Sequence, residues 1–251
     1  MNEGPSIGRV LARAFAAVGA RPLATLVPAL LFGAAPSHLM FEALDGAIGA
    51  DEGLLGFFLL FLVASLGGLF LSTLVQGRLV RPTLGEGGPA LDLRGLPSLV
   101  GASAAVAVAV TAGLSLAVAP GVLVYVMLAV AGSAAVAERR GPWSAMLRSV
   151  DLTRGARWHV LGLFALLLAG QLVYSMLVNL PAGLLYGELD GLDSVLSALA
   201  AEDAPEGFSW IAGLAQTPVY AVWATAQTAL FLELRERKEG PAAERLAEIF
   251  R

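Results

Sequence analysis

The side chains able to do chemistry in this chain are few, and most of them are uncharged. There is no cysteine, which excludes disulfides, thiolate metal sites and cysteine nucleophiles. Gln171, Tyr174, Ser175 and Asn179 recur close to helical spacing and so fall near one face of a helix. Gln216, Tyr220 and Gln227 do the same further along, with Trp223 between them. Amides and phenols on two such faces suit the wall of a polar cavity, with Gln171, Tyr174, Asn179, Gln216, Tyr220 and Gln227 as its candidate lining. They suit equally well two helices that hydrogen-bond across their contact, at about 0.6–2 kcal/mol per bond.

The ionisable residues offer less. The two histidines are His38 and His159, and no HExxH pattern joins them, so a zinc protease is excluded. His38 lies near Glu42, but a metal or proton site needs a third partner that the spacing does not identify. His159 follows Trp158 and reads as an anchor at a membrane surface. Glu188, Asp190 and Asp193 supply too few oxygens for calcium, which takes six to eight. Neither a nucleophile elbow nor a phosphate-binding glycine loop occurs. The expectation is a protein without catalytic residues, metal or cofactor.

One dense polar cluster remains. Arg139, Arg140, Arg148, Arg154 and Arg157 lie close together with Glu138 and Asp151. Guanidinium matches phosphate geometry, so this cluster is the candidate site for an anionic lipid headgroup. The same arginines serve equally as a topology signal that needs no site at all.

The elements that must position these residues are membrane spans. The chain has 251 residues, 57% hydrophobic and 14% charged, with a mean hydropathy of +0.75. A soluble domain carries about 25% charged residues. Apolar runs long enough to cross a bilayer occupy 22–44, 54–76, 96–119, 121–137, 158–180 and 208–234, with Pro120-Gly121 as the turn between the third and fourth. The expected fold is all-α: a polytopic bundle of six spans in three hairpins. An interfacial amphipathic helix is expected at 6–21 and another at 142–154, where Trp143, Met146, Leu147, Val150 and Leu152 form the apolar stripe. The leucines from Leu185 to Leu199 predict a surface helix in the loop before the last span. The domain is expected to run over 1–240, with Gly240 stopping the last helix and 241–251 forming a short amphipathic tail.

Charge sets the expected orientation. All sixteen basic residues fall in stretches on one side of this arrangement, beside ten acids; the other side carries ten acids and no base. The basic side is therefore expected to be cytoplasmic, with both termini on it, in a bacterial inner membrane. Its partners are expected to be anionic lipids of the cytoplasmic leaflet or a membrane protein, not nucleic acid. Within the spans, no Asp, Glu, Lys or Arg falls at the centre, whereas ion-coupled transport usually keeps one. Ala64, Gly68 and Ser72 read as a helix-contact ridge. The span at 96–119, built of Ala, Val, Gly and Ser, reads as the centre of the bundle.

Several motifs carry a resemblance. They are Pro120 opening a helix, Glu138-Arg139 closing it, Leu147-Arg148-Ser149, Leu152-Thr153-Arg154-Gly155, Arg157-Trp158 and the charged run Leu234 to Gly240. In this order they resemble the membrane domain attached to some glycerophosphoryl diester phosphodiesterases, and related stand-alone YciC-like and DUF975-like six-helix bacterial proteins. The motifs cover about half the chain; the first two spans match in pattern alone. The resemblance implies six helices and a link to lipid or envelope biology. The phosphodiesterase activity belongs to a separate barrel domain, so it is not carried over. The leading functional expectation is a non-catalytic membrane protein engaging lipid or a partner through its Arg-rich face. A small transporter or channel and an intramembrane lipid enzyme are the alternatives.

Overall fold

Residues 5–40, 53–83, 96–186 and 206–249 are described in the computed structural model, and every element among them is a helix. Helix α1 covers Ile7–Ala20 and starts at Ser6, whose hydroxyl accepts from the Arg9 amide. After a one-residue break at Arg21, α2 covers Pro22–Ala29 and continues through a π-helical turn, Leu30–Ala34, to Met40. Pro28 lies inside α2 and cannot donate to the turn before it; the ladder widens just beyond it.

Helix α3 is Gly53–Thr83, α4 is Leu96–Leu116, α5 is Val118–Leu128 and α6 is Ala131–Ala137. The corner between α4 and α5 is Ala117, three residues before the expected Pro120-Gly121 turn. Proline is tolerated in a first helical turn, where no amide donor is needed, so Pro120 opens α5 rather than breaking the chain. Across this corner the backbones nearly touch: a Cβ on Gly113 would sit 2.9 Å from the Gly121 Cα. Helix α7 is Pro142–Thr153, α8 is Arg157–Tyr186, α9 is Glu206–Ala215 and α10 is Thr217–Ile249.

Among the described residues, five stretches are long and apolar enough to cross a membrane: Pro22–Met40, Leu62–Arg81, Leu96–Leu116, Val118–Ala137 and Arg157–Val178. This suits a multi-pass membrane protein. The sixth expected span, 208–234, is not continuous; the helix is interrupted at Gln216, where α9 ends and α10 begins. Pro218 is the reason. It has no amide to give the Leu214 carbonyl, which the Thr217 hydroxyl takes instead at 2.5 Å. The helix also runs on through Gly240 and Pro241 to Ile249, without the stop expected there. The turn before them is tied down by ion pairs from Arg235 and Arg148 to Glu239. The expected surface helix from Leu185 to Leu199 falls largely outside the described residues.

The centre of the bundle is α10, not the small-residue helix α4. Ala221 and the whole run Ala224–Phe231 are buried, while Val108 of α4 is 60% exposed. Small residues let a helix sit anywhere; four-sided packing fixes α10, whose Thr228 and Gln227 reach groups on neighbouring helices. Helices α1 and α7 pack against the basic end of this bundle. Val10 and Ala14 are the buried face of α1. In α7 the buried face is Ala145, Ser149, Leu152 and Thr153, while Trp143 and Leu147 of the expected stripe point outward. The inward hydroxyls explain this choice. Helix α5 stops at Leu128, and the Ser149 hydroxyl donates to the Met127 carbonyl at 2.9 Å and accepts from the Val130 amide at 3.2 Å. Gln76 of α3 donates to the Ala129 carbonyl at 2.8 Å. Buried backbone groups freed by a helix break must find partners, and α3 and α7 supply them.

Candidate ligand cavity

The π-turn and the break at Gln216 border the same space. A cavity of about 560 Å³ lies between the first span, α3, α8 and the α9–α10 junction. The first span contributes Ser37 and His38, and α8 contributes Gln171 and Ser175. Gln216 and Tyr220 come from either side of the break. The α3 wall is Ala64, Ser65, Gly68 and Ser72. The residues read as a contact ridge therefore make room instead of contact, and a Cβ on Gly68 would meet nothing within 4 Å. No Asp, Glu, Lys or Arg is among the described residues lining the cavity.

The polar groups are held in place by one another. Tyr220 donates to the Ser37 hydroxyl at 2.7 Å, which ties α10 to the first span. The Gln216 amide reaches the Ser175 hydroxyl at 3.5 Å. His38 meets Trp210 edge to face, with ring centroids 4.4 Å apart. At the inner end, the Tyr125 hydroxyl accepts from the Trp223 indole and the Gln227 amide, each at 3.2 Å. Phe164 packs between Tyr125 and Trp223, at 4.9 Å and 5.9 Å between centroids.

Of the six candidate lining residues, Gln171, Gln216 and Tyr220 share this cavity. Tyr174 donates to the Ala215 carbonyl at 2.6 Å, so it caps the end of α9. Gln227 is buried one layer deeper, behind Tyr125. The side chain of Asn179 falls outside the described residues. Ser37, Ser65 and Tyr125 were not singled out in the sequence. A lone serine in an apolar span carries little signal, and Tyr125 lies in a run of valines and leucines.

The five candidate headgroup arginines differ in their partners. Arg148 pairs with Glu138 at 3.0 Å and Asp151 at 3.6 Å, and also with Glu239. Burial works to lower its pKa, but the hydrogen bonds and charges of Glu138 and Glu239 outweigh burial and raise it. Arg140 is paired with Glu138 as well. Arg139, held at a positive φ of 50°, and Arg154 are exposed, and neither has an ion pair among the described residues. The Arg157 Nε is buried without a hydrogen-bond partner among them.

A second ionic centre lies on α10, and no sequence motif marks it. Glu233 of α10 is buried, with a side chain only 4% exposed, and faces Arg9 at 2.8 Å, Arg13 at 3.7 Å and Arg237 at 3.7 Å. Beside it, Arg13 also holds Glu236 at 3.2 Å, and Lys238 holds Asp151 at 3.1 Å. The basic residues thus clamp α1 and α7 onto α10. No family model matches this chain, and no curated protein or solved structure matches it either.

Proposed function

We propose that this is a non-catalytic membrane protein that takes an uncharged, hydrogen-bonding group into the cavity beside Gln216, as a small carrier or channel would. The observation that carries this reading is a cavity of about 560 Å³ with hydroxyl, amide and imidazole groups on its wall and no charged side chain among the described lining residues. That volume is within the range of small-molecule sites, roughly 300–1,000 Å³. Two helix interruptions border it, as irregular backbone in membrane proteins commonly borders a cavity. A charged solute would meet no counter-charge from the described lining residues, so neutral solutes are favoured. The supporting experiment is osmotic swelling of proteoliposomes in glycerol, an uncharged polyol, against sodium chloride. Faster glycerol entry than in protein-free vesicles, abolished by Gly68→Leu, supports the reading; entry no faster than in protein-free vesicles refutes it.

The location belongs to the same proposal: a bacterial inner membrane, with the basic end and both termini cytoplasmic. A cysteine introduced at Ser144 should then be protected from an impermeant thiol reagent in intact cells, and one at Gly49 or Ala200 should react. A second reading, adhesion of the basic end to anionic headgroups, is supported at Arg139 and Arg154, which are exposed and outside the ion-pair network. It is weaker at Arg140 and Arg148, whose charges are already met by Glu138. A membrane protein partner at that end is part of the same second reading.

A further inference from the structure

The outer side of the cavity wall carries another hollow. A groove of about 500 Å³ lies between α1, α8 and α10, and it is lined almost wholly by carbon. Leu11 and Phe15 come from α1, Leu166 and Gly170 from α8, and Val222 from α10. Gln171, Val219 and Trp223 line both this groove and the polar cavity. The apolar slot and the hydrogen-bonding chamber thus adjoin at these three residues. Gly170 has no side chain to fill the slot, and a Cβ there would meet nothing within 4 Å.

We infer that the two hollows form one site for a neutral single-chain amphiphile, its uncharged head in the cavity and its acyl chain in the groove. This rests on the preceding reading that the cavity takes an uncharged hydrogen-bonding group, and extends it to the ligand class. The surroundings of the two hollows select the occupant. The groove is apolar and lies along Arg157–Val178, a stretch suited to a bilayer, so what reaches it comes from the lipid phase. The described linings of both hollows lack charged residues, so a phosphate-bearing head would be buried without a counter-ion. The two hollows adjoin at Gln171, Val219 and Trp223, so a head and a chain joined by a few bonds match their spacing.

The test uses the full chain in nanodiscs, with Trp143, Trp158 and Trp210 replaced by Phe so that Trp223 alone reports. A monoacylglycerol brominated on its chain is titrated in as quencher. The expected result is saturable quenching at low mole fraction, with the half-point raised roughly tenfold or more by Gly170→Leu and likewise by Gly68→Leu. Quenching that rises linearly, or that phosphatidylcholine with brominated chains reproduces, would mean ordinary boundary lipid and would overturn the inference. So would Gly170→Leu leaving the half-point unchanged. If Gly68→Leu abolishes glycerol entry while Gly170→Leu leaves amphiphile binding intact, the amphiphile inference fails and the cavity reading survives. If glycerol entry is absent in the unsubstituted protein, the cavity reading fails first. At both glycines an added Cβ would meet nothing within 4 Å, so each new side chain starts into open space.

Discussion

Replacing Glu233 by Gln should release α1 from the bundle. The carboxylate is almost fully buried, and three guanidinium groups approach it within 2.8–3.7 Å. Two reference magnitudes bracket the effect. Removing one partner of a fully buried pair costs about 3–5 kcal/mol, because the other charge is stranded. An exposed pair is worth about 0–1 kcal/mol. Here the arginine side chains are 62%, 44% and 33% exposed, so they can turn to water once the carboxylate is gone. The loss should therefore fall between the two brackets, at about 2 kcal/mol. Glutamine keeps the shape, so the change reads charge and not packing. Stability is read by titration with a denaturing detergent, followed by tryptophan fluorescence. A double-mutant cycle with Arg9→Gln should give a coupling of about 1 kcal/mol. Glu233→Gln as stable as the parent, or strictly additive with Arg9→Gln, would refute the reasoning.

Three further outcomes are expected. Tyr174→Phe leaves the Ala215 carbonyl without its donor and should cost about 1–3 kcal/mol in the same titration, because the helix end is part-buried. Gly132→Ala should cost about 1–3 kcal/mol, since the new Cβ would stand 2.7 Å from the Thr73 carbonyl oxygen; Gly170→Ala, with open space around it, should be close to neutral. The Glu239 pKa is lowered, first by its hydrogen bond from Arg235 and further by Arg148, against burial, which raises it. A depressed carboxylate contributes stability that is fully present above the ordinary 4.5 and lost as pH falls through the lowered folded value. Docking of the α10 tail should thus weaken as pH falls from about 4.5 through that lower value, in a melting profile that Glu239→Gln flattens.

The spans were legible because twenty apolar residues in a row leave little else to do. The corners were not, because each depends on a partner elsewhere in the chain. Nothing local to Ala129 says that the helix stops there; the signal is Gln76, fifty-three residues earlier, whose amide takes the freed carbonyl. The inward face of α7 differs from its apolar stripe for a related reason. Trp143 and Leu147 dominate a hydrophobic stripe, but Ser149 and Thr153 hold the Met127 carbonyl and turn the small face inward. Ala64, Gly68 and Ser72 follow the spacing of a packing ridge, and spacing alone cannot tell a helix contact from a gap. In the polar stripes, Gln171 and Ser175 differ from Tyr174 only by helix rotation. One pair borders the cavity while the tyrosine turns to the carbonyl freed next to Pro218. The clamp at Glu233 was hidden because its acid and two of its bases are more than two hundred residues apart.

The most direct measurement is thiol reactivity inside the cavity, for which the absence of native cysteine gives no background. A small neutral methanethiosulfonate should modify Ser72→Cys in membranes at a rate close to that of a water-exposed site. Val108→Cys, exposed on the outside of α4, should stay unreactive. Ser72→Cys as inert as Val108→Cys would mean that no polar solute reaches this space, and would contradict the account.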